Sequence, residues 1–328
     1  MLLLLLAGLL LVSLLVLLWR DSDLCLSLAE WMGRRPEAYF EDKTVWLVGA
    51  SSGIGEQLAL RLASCNCRLI LSARRREELL RVKVNCLVNN SNLRERDVHV
   101  LPFDLSELQK LPIVVDHAFR LVGKVDVVFL NAGRGQFSNW LEVDPEVDLS
   151  CFTVNALAPT QLARTIAKRW SNDASETPNV HLGHFVVTSS MAGIMGLPGS
   201  PSYCAAKHAL NGYFRSLAVD FTMKGSITVT IACPGLTFAP NITRDAFTAR
   251  VGESAEVELS GPGAGHMAAD RCAQLIIVAA ANRLSEVWIS KQTGPLIALY
   301  VSVLWPGLIK LFVSLVGKER LERMRSGQ

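Results

Sequence analysis

Residues 44–63 read TVWLVGASSGIGEQLALRLA, and this stretch decides the fold of the chain. Its first five residues are apolar or β-branched, which predicts a buried strand. Gly49, Gly53 and Gly55 follow, and then a run of helix-forming residues. A strand, a glycine turn and a helix in this order let a backbone approach a pyrophosphate at the helix N-terminus. The spacing is G-x-x-x-G-x-G, and its position in a first strand–helix unit makes it more specific than a glycine-rich loop alone.

The pattern of this first unit repeats along the chain, because short apolar runs alternate with longer amphipathic stretches. The runs are TVWLV at 44–48, RLILS at 68–72, VHVLPF at 98–103, VDVVFL at 125–130, HFVVTS at 184–189, ITVTIA at 227–232 and EVWIS at 286–290. Continuously apolar strands between helices predict a parallel sheet that is buried on both faces. We therefore predict a doubly wound α/β fold whose ligand lies beyond the carboxyl ends of the strands.

Composition excludes several other classes of protein. The 328 residues are 50% hydrophobic and 19% charged, which excludes a disordered chain. The net charge of +3 argues against a dedicated nucleic-acid binder.

The eight cysteines have no Cys-x-x-Cys pair, so we expect reduced structural thiols. His181 and His184 lack acidic or cysteine partners in a ligand pattern, and we predict loop histidines and no metal site.

The N-terminal residues 1–18, MLLLLLAGLLLVSLLVLL, contain no charge. As a helix they would span about 27 Å, close to the hydrocarbon thickness of a thin bilayer. A cleaved signal peptide is the alternative. Against it, the run is longer than a usual signal core, no basic residue precedes it and no A-x-A-like site follows. We predict a single-pass, uncleaved anchor over residues 1–19.

A second apolar stretch, PLIALYVSVLWPGLIKLFVSLV, occupies residues 295–316. Pro306 and Gly307 divide it into halves of about ten residues, each too short to span a bilayer. Two interpretations stay open for the tail of residues 291–328. It either lies at the membrane interface, with its basic end against anionic headgroups, or forms helices that cover the catalytic domain or a dimer partner.

The end of the second predicted strand concerns the choice of cofactor. An NAD site places an acidic residue about 20 residues after the glycine turn, where it binds the ribose 2′-hydroxyl. Here the sequence reads Leu-Ser-Ala and then Arg74, Arg75 and Arg76. Arginine pairs well with a 2′-phosphate. The alternative is a solvated helix start, which is less attractive because arginine there opposes the helix dipole. We predict NADP(H).

Candidate catalytic residues follow several of the later strands. Tyr203 and Lys207 are four residues apart in a helical stretch, which places the phenol and the ammonium on one face. A neighbouring Lys favours the phenolate and should lower the pKa of the tyrosine, as a general acid for carbonyl reduction requires. Ser190 directly follows the strand HFVVTS, the segment of residues 131–133 ends the fourth strand, and Asn155 lies within TVNALAPTQLA. These residues together indicate a catalytic site far more specifically than any one of them does alone.

On these residues the chain resembles the short-chain dehydrogenase/reductase family across residues 43–290. The matching elements are VGASSGIG, LNAG, Asn155, Ser190, Tyr203, Lys207 and Pro234-Gly235. The resemblance implies a Rossmann-type catalytic domain over residues 40–290 and a tetrad. In it Tyr203 delivers the proton, and Lys207 lowers the pKa of that tyrosine and holds the nicotinamide ribose. Ser190 orients the carbonyl, and Asn155 holds a water that relays protons.

The resemblance also implies a cofactor site. Its predicted residues are Gly49, Ser51, Ser52, Gly53, Ile54, Gly55, Arg74, Arg75, Asp104, Asn131, Ala132, Gly133, Tyr203, Lys207, Pro234 and Gly235. Asp104 matches the family's acidic residue near the adenine, and Asn131 matches the residue that supports the central sheet. Leu130 departs from the family pattern, in which an Asn stands at that position. The sequence also lacks a threonine at the family's usual place after Pro-Gly, although Thr237 is nearby. This difference puts the contact of the loop with the nicotinamide carboxamide in doubt.

From this resemblance we expect a membrane-anchored NADP(H)-dependent oxidoreductase. It would interconvert carbonyl and alcohol groups of apolar small molecules such as retinoids or steroids. Residues 236–266 are rich in Gly, Pro and small residues and follow the sixth strand, so we predict a mobile cover over the cleft, with a plain surface loop as the alternative. A catalytically idle scaffold or cofactor-sensing subunit of the same fold is the alternative. The expected location is the endoplasmic reticulum membrane, and a homodimer stays open. Arg20, Arg34 and Arg35 follow the anchor, so the positive-inside rule favours a cytosolic catalytic domain.

Overall fold

A seven-stranded parallel sheet forms the centre of the structure, a computed structural model that describes residues 20–173, 181–222, 226–238, 245–253 and 265–308. Its strands are β1 (Thr44–Val48), β2 (Arg68–Ser72), β3 (Val98–Val100), β4 (Val127–Leu130), β5 (Gly183–Thr188), β6 (Ile227–Pro234) and β9 (Glu286–Ile289). They lie in the order β3-β2-β1-β4-β5-β6-β9, and every neighbouring pair is parallel. Two short strands, β7 (Thr237–Phe238) and β8 (Met267–Ala268), pair separately. The predicted doubly wound sheet is confirmed.

Helices cover both faces of this sheet. They are α1 (Leu24–Met32), α2 (Pro36–Phe40), α3 (Gly53–Ala63), α4 (Arg76–Asn89), α5 (Leu111–Val122), α6 (Pro145–Phe152), α7 (Ala158–Asp173), α8 (Pro201–Thr222), α9 (Ala269–Ala281) and α10 (Thr293–Leu304). Short 3₁₀ turns lie at Glu95–Asp97, Leu108–Lys110, Met191–Gly193 and Pro306–Leu308, and a π-helical turn at Thr153–Leu157 joins α6 to α7. Helices α3, α4 and α9 pack on one face, and α5, α7 and α8 pack on the other.

The alternation of side chains along β1 explains why both faces are buried. Val45 and Leu47 belong to the core beneath α3 and α9, whereas Trp46 and Val48 belong to the core beneath α5 and α7. All five residues of the strand are buried. An apolar residue at every position is therefore required, because successive side chains of a strand point to opposite faces.

The topology fixes where a ligand binds. The chain moves outward from β1 to β2 and β3, and then returns to place β4 on the other side of β1. A crevice forms at the carboxyl ends of the strands at such a switch point. There the backbone N–H of Gly49 donates to the carbonyl of Ser72 at 2.7 Å, and that of Asn131 donates to the carbonyl of Val48 at 3.0 Å. The glycine turn and the segment after β4 thus meet at one edge of the sheet.

The segment that follows the predicted anchor is tied to the edge strand β9. Ser22 forms an antiparallel bridge with Ile289. The carboxylate of Asp23 caps α1 by accepting from the N–H of Leu26 at 3.0 Å, and it also accepts from the N–H of Trp288 at 2.7 Å. These contacts fix α1 to the sheet within a few residues of the start of the described chain.

None of the described residues forms a helix that is both long and apolar enough to cross a membrane. The predicted anchor, residues 1–19, lies outside the described residues, as do residues 309–328. The break predicted at Pro306-Gly307 is confirmed, because α10 ends at Leu304.

Helix α10 is buried in its first half and exposed at its end. Leu296 and Leu299 are buried and pack in one cluster with Met191, next to the end of β5. Leu304 and Trp305, at the other end of the helix, are 61% and 59% exposed. The first half of the apolar tail therefore covers the catalytic domain with its inner face, which was one of the two interpretations left open.

The interpretation of His184 as a loop histidine is wrong. This residue lies inside β5 and has no solvent exposure. Its ring nitrogens are hydrogen-bonded to the hydroxyls of Tyr39 at 2.8 Å and Thr230 at 2.9 Å. Burial lowers the pKa of His184 to about 3, so the ring is neutral near neutral pH. Among the described residues, no group of three or more potential ligands is arranged to hold a metal ion.

Candidate active site

A cleft of about 1260 Å³ opens at the carboxyl ends of the strands. Most of the residues predicted from the sequence line it: Gly49, Ser51, Ser52, Gly53, Ile54, Arg74, Arg75, Asp104, Asn131, Ala132, Gly133, Ser190, Tyr203, Lys207, Pro234 and Gly235. Gly55 and Asn155 are the two exceptions, and both support the wall from behind. The described parts of the predicted cover also line the cleft, through residues such as Leu236, Phe247 and His266. Residues 239–244 and 254–264 of that cover lie outside the described residues.

The glycine turn needs its glycines for two different reasons. Gly49 and Gly53 have positive φ angles of 92° and 58°, a conformation that other residues rarely adopt. At Gly55 a Cβ atom would lie 1.8 Å from the carbonyl oxygen of Gly49. That same oxygen accepts from Nδ2 of Asn131 at 3.1 Å. Gly55 and Asn131 therefore hold the shape of the turn, as the predicted role of Asn131 in supporting the sheet requires.

The start of α3 is suited to an anion. Ser52 precedes the helix and makes no side-chain capping hydrogen bond, so the first backbone N–H groups are left for another acceptor. Ser51, Ser52 and Gly53 all line the cleft. A glycine turn at a helix N-terminus fits the pyrophosphate of a dinucleotide. The residues present are thus suited to the pyrophosphate that NAD and NADP have in common.

Two exposed arginines follow β2, whose last residue Ser72 is hydrogen-bonded to the glycine turn. Arg74 and Arg75 line the cleft, and α4 begins directly afterwards at Arg76. Arg76 itself does not line the cleft and lies 3.8 Å from the carboxylate of Glu77. Two of the three arginines therefore face the cleft and the third begins the helix, and the binding of a 2′-phosphate by Arg74 and Arg75 stays a prediction.

Arg134 is a third arginine in the cleft, and it was not predicted from the sequence. Its guanidinium lies 3.7 Å from the centroid of the Phe247 ring, and its Nε donates to the carbonyl oxygen of Asp245. Burial lowers the pKa of Arg134, and the nearby charge of Arg74 lowers it further. The position of Arg134 directly after the Asn-Ala-Gly segment is the sequence feature that could have indicated it.

Helix α8 and the end of β5 bring three predicted catalytic groups together. Nζ of Lys207 lies 5.7 Å from the centroid of the Tyr203 ring, as expected for residues one helical turn apart. The same Nζ donates to the carbonyl oxygen of Thr188 at 3.0 Å. The Ser190 hydroxyl lies close enough to the Tyr203 hydroxyl to lower the pKa of the phenol, and Oγ of Ser190 also donates to the carbonyl oxygen of Pro234 at 3.4 Å. The Ser190 hydroxyl is thus placed beside the phenol, where both can reach one substrate oxygen.

The expectation that Lys207 lowers the pKa of Tyr203 is not reproduced. Burial raises the pKa of Tyr203 above its usual value of about 10, and the hydrogen bond with Ser190 is the largest opposing effect. Burial also lowers the pKa of Lys207 to about 8. At neutral pH the tyrosine therefore keeps its proton and the lysine keeps its charge. A phenol that holds a proton is the form that a general acid needs.

Asn155 lies in the π-helical turn between α6 and α7 and has no solvent exposure. Its Oδ1 accepts from the backbone N–H of Arg134 at 3.0 Å. Its Nδ2 donates to the carbonyl oxygens of Arg134 and Cys151, each at 3.0 Å. The side chain therefore positions the segment after β4, and the role of holding a relay water stays a prediction.

Two further polar residues in the cleft wall were not predicted. Gln136 has no solvent exposure, and His266 is 5% exposed. Both line the cleft, and within the described part of the chain neither the amide of Gln136 nor Nδ1 of His266 has a hydrogen-bond partner. No motif marks either residue, since each depends on how distant segments fold over it.

The fold and the cleft together define a class of protein, a dinucleotide-binding oxidoreductase. The chain belongs to the short-chain dehydrogenase family, because the model of that family, described as "short chain dehydrogenase", matches residues 43–249. The chain is 36% identical over 322 residues to Dehydrogenase/reductase SDR family member 7 of Homo sapiens, covering 97% of this chain and 91% of the relative. It is 29% identical over 250 residues to Hydroxysteroid 11-beta-dehydrogenase 1-like protein B of Xenopus laevis, covering 75% and 77%. The family resemblance seen in the sequence is confirmed.

Solved structures show the same fold. An alcohol dehydrogenase from Thermococcus sibiricus, complexed with 5-hydroxy-NADP, matches with a TM-score of 0.63 at 20% identity, covering 77% of this chain and 98% of the other. A short chain dehydrogenase/reductase from Burkholderia phymatum, in complex with NAD, matches with a TM-score of 0.67 at 24% identity, covering 83% and 96%. The two differ in their bound cofactor, so the fold alone does not select between NAD and NADP.

Proposed function

We propose that this chain is an NADP(H)-dependent oxidoreductase that interconverts carbonyl and alcohol groups of apolar substrates, such as retinoids or steroids. The observation that carries the proposal is the joint placement of Ser190, Tyr203 and Lys207 on the wall of a cleft that also holds a glycine turn. A scaffold would not need a buried ammonium one helical turn from a half-buried phenol in the wall of a cleft, because burying a charged group without use is unfavourable.

The roles of the side chains follow from their geometry. A bound nicotinamide dinucleotide supplies or accepts the hydride. Tyr203 donates its proton to the substrate oxygen in the reduction direction, and its raised pKa keeps that proton available. Ser190 hydrogen-bonds the same oxygen and so fixes the distance between the oxygen and the phenol. Lys207 holds a positive charge near the phenolate that forms, which stabilises the charge developed during proton transfer.

The preference for NADP(H) rests on the residues after β2. Arg74 and Arg75 are exposed and line the cleft, and the chain has no acidic residue in the segment Leu71–Arg76. A 2′-phosphate accepts hydrogen bonds from a guanidinium, whereas a bare ribose hydroxyl needs an acidic acceptor. Asp104 also lines the cleft and holds the turn after β3, since its Oδ1 accepts from the N–H and the hydroxyl of Ser106, each at 2.8 Å.

The apolar character of the substrate rests on the remaining lining of the cleft. These residues are Phe137, Leu149, Met195, Leu197, Leu236 and Val251. Burial of apolar surface would drive binding of a molecule with a large hydrocarbon body. The name of the Xenopus laevis relative refers to a hydroxysteroid dehydrogenase, which agrees with this size and polarity.

The membrane forms the second part of the proposal. The uncharged residues 1–18 anchor the protein in the endoplasmic reticulum membrane, with the catalytic domain in the cytosol. An anchor at this point would hold α1 and the edge strand β9 at the bilayer surface, because Ser22 and Asp23 are tied to β9. Apolar substrates dissolved in the lipid would then be close to the cleft. Association into a homodimer is compatible with this arrangement.

The experiment that tests the catalytic part is NADPH oxidation by the full-length protein in detergent or microsomes. The panel contains retinal, steroid ketones and quinones, and product formation is followed together with cofactor consumption. We expect consumption with at least one class of carbonyl compound. If folded protein binds NADPH and oxidises it with none of them, the alternative of a catalytically idle scaffold or cofactor-sensing subunit is favoured.

A further inference from the structure

We propose that Gln136 binds a second polar group of the substrate, so that the cleft selects apolar carbonyl or alcohol compounds with another oxygen function at a distance from the reacting carbon. This inference rests on the proposed function and deepens it. Gln136 is one of the residues that line the cleft, and its side chain is fully buried in the wall. In the described ranges of the chain, neither its Nε2 nor its Oε1 has a hydrogen-bond partner.

The unpaired amide is unusual on physical grounds. Nearly all buried polar groups in folded proteins are hydrogen-bonded, because a buried amide without partners loses its bonds to water and gains none. Both the donor Nε2 and the acceptor Oε1 of Gln136 lack partners among the described residues. In a glutamine with a purely structural role, at least one of these two atoms would be hydrogen-bonded to the neighbouring backbone. The amide is therefore prepared for a partner that enters the cleft.

The backbone around Gln136 is held rigidly. The carbonyl of Gly135 accepts from the N–H of Phe247 at 2.9 Å, and the N–H of Phe137 donates to the carbonyl of Phe247 at 2.8 Å. These two bonds form a parallel bridge between Gln136 and Phe247. A binding group is most selective when its support is rigid, because it then cannot move to find another partner.

The same bridge places Gln136 near the reacting groups. Phe247 and Tyr203 belong to one apolar cluster with Val147 and Cys151. Along the chain, Gln136 is three residues after Gly133, where a Cβ would lie 3.5 Å from Nζ of Lys207. Three residues of extended chain span at most about 11 Å. The amide is thus within the length of a small polycyclic molecule from the catalytic groups.

Apolar neighbours strengthen the effect of this amide on selection. The cleft residues Phe137, Leu149 and Leu197 provide apolar surface, and none of them can replace a lost hydrogen bond. A substrate with only one oxygen would leave the amide unpaired in this wall. A site built to hydrogen-bond one substrate group discriminates strongly against the analogue that lacks it. The amide can donate and accept, so it suits a hydroxyl or a second carbonyl equally.

The test compares two steroid probes in the full-length protein, the diketone androstanedione and the monoketone androstanone. The variants Gln136→Leu and Gln136→Met keep the size of the side chain and remove the amide. The matched control is Gln161→Leu, a partly buried glutamine outside the cleft whose Nε2 donates to the carbonyl of Leu108 at 2.8 Å. The readouts are kcat/KM with NADPH for each probe and the midpoint of thermal unfolding.

We expect Gln136→Leu and Gln136→Met to lower kcat/KM for the diketone about tenfold while leaving that for the monoketone equal or higher. Their unfolding temperatures should not fall, because no internal hydrogen bond is lost. Gln161→Leu should lose stability and keep the ratio of the two probes. A ratio unchanged by both Gln136 variants, or loss of folding in both, overturns the inference while leaving the proposed function intact. Failure of the unsubstituted protein to reduce any ketone overturns the proposed function and this inference with it.

Discussion

The side-chain amide of Asn155 holds the backbone of Arg134 from both sides, since Oδ1 accepts from its N–H and Nδ2 donates to its carbonyl, each at 3.0 Å. One buried side chain in a π-helical turn thereby fixes the segment that leads from β4 into the cleft. The guanidinium of Arg134 extends from this fixed point to Phe247 and Asp245. Arg134 thus connects the cofactor-facing segment to the described part of the cover, next to the backbone bridge between Gln136 and Phe247.

Asn155→Ala should therefore reduce stability as well as turnover. The substitution leaves the N–H and the carbonyl of Arg134 without their partner, and an unpaired buried polar group costs about 1–3 kcal/mol. Urea unfolding measures the loss, and kcat/KM should fall with it. Asn139→Ala is the control, because Asn139 lies nearby and its Nδ2 bonds only to the exposed carboxylate of Glu142 among the described contacts. Equal stability of the two variants would contradict this account of Asn155.

The pair Arg74→Ala and Arg75→Ala, combined in one variant, should remove most of the preference for NADPH over NADH. Hydrogen bonds to charged groups contribute about 1.5–3 kcal/mol each, so the ratio of the two dissociation constants should fall at least tenfold. Arg76→Ala is the matched control, since Arg76 is adjacent but does not line the cleft. Binding is measured by titration of the cofactor fluorescence. If the unsubstituted protein binds NADPH and NADH equally well, the assignment of the two arginines is wrong.

Tyr203→Phe should abolish turnover and keep cofactor binding, because it removes only the hydroxyl that donates the proton. General acid–base groups contribute about 10²–10⁴-fold, and we expect a loss of kcat in this range. Tyr213→Phe tests the same change on the same helix, at a residue that is 38% exposed and does not line the cleft. The loss is measured as the rate of NADPH oxidation with the best substrate of the panel. Near-full activity of Tyr203→Phe would exclude it as the acid.

The buried His184 should make the fold sensitive to acid. Its folded pKa is depressed to about 3 by burial, whereas an unfolded histidine titrates near 6.5. The unfolded state therefore binds the extra proton first, so this contribution to stability is complete above pH 6.5 and is lost as the pH falls toward 3. Between pH 7.5 and 5.5 the expected loss is about 1.4 kcal/mol.

His184→Gln should remove this part of the pH dependence, even if it lowers stability at every pH. Free energies of unfolding in urea at pH 7.5 and 5.5 give the difference for each variant. His117→Gln, at an exposed position on α5, should keep the full loss of the unsubstituted protein. A pH dependence that is the same in all three proteins would show that His184 is not responsible.

Local patterns predicted the fold and most of the site. The five apolar residues of β1 and the glycines after them determine a strand and a turn from sequence neighbours alone, and Tyr203 and Lys207 share a helix face through their spacing. The features that were missed depend on contacts between distant segments. Arg134 meets Asp245 across 111 positions of the chain, and His184 meets Tyr39 across 145. The pKa of Tyr203 was misjudged for the same reason, because its burial results from packing and not from Lys207.

The orientation of the catalytic domain gives the last prediction, which concerns the acceptor sequence Asn89-Asn90-Ser91. Asn89 is exposed at the end of α4, so an oligosaccharide could be attached there only if the domain faced the lumen. The second acceptor sequence begins at Asn241, outside the described residues. Since Arg20, Arg34 and Arg35 follow the uncharged residues 1–18, we expect a cytosolic domain and no glycan.

Expression of the full chain with microsomes, followed by glycosidase treatment, should leave its mass unchanged. A control chain with an acceptor site added before Met1 should gain a glycan, because that end would be luminal. If the natural chain shows a mass shift and Asn89→Gln abolishes it, the orientation is the opposite one and the cleft lies in the lumen.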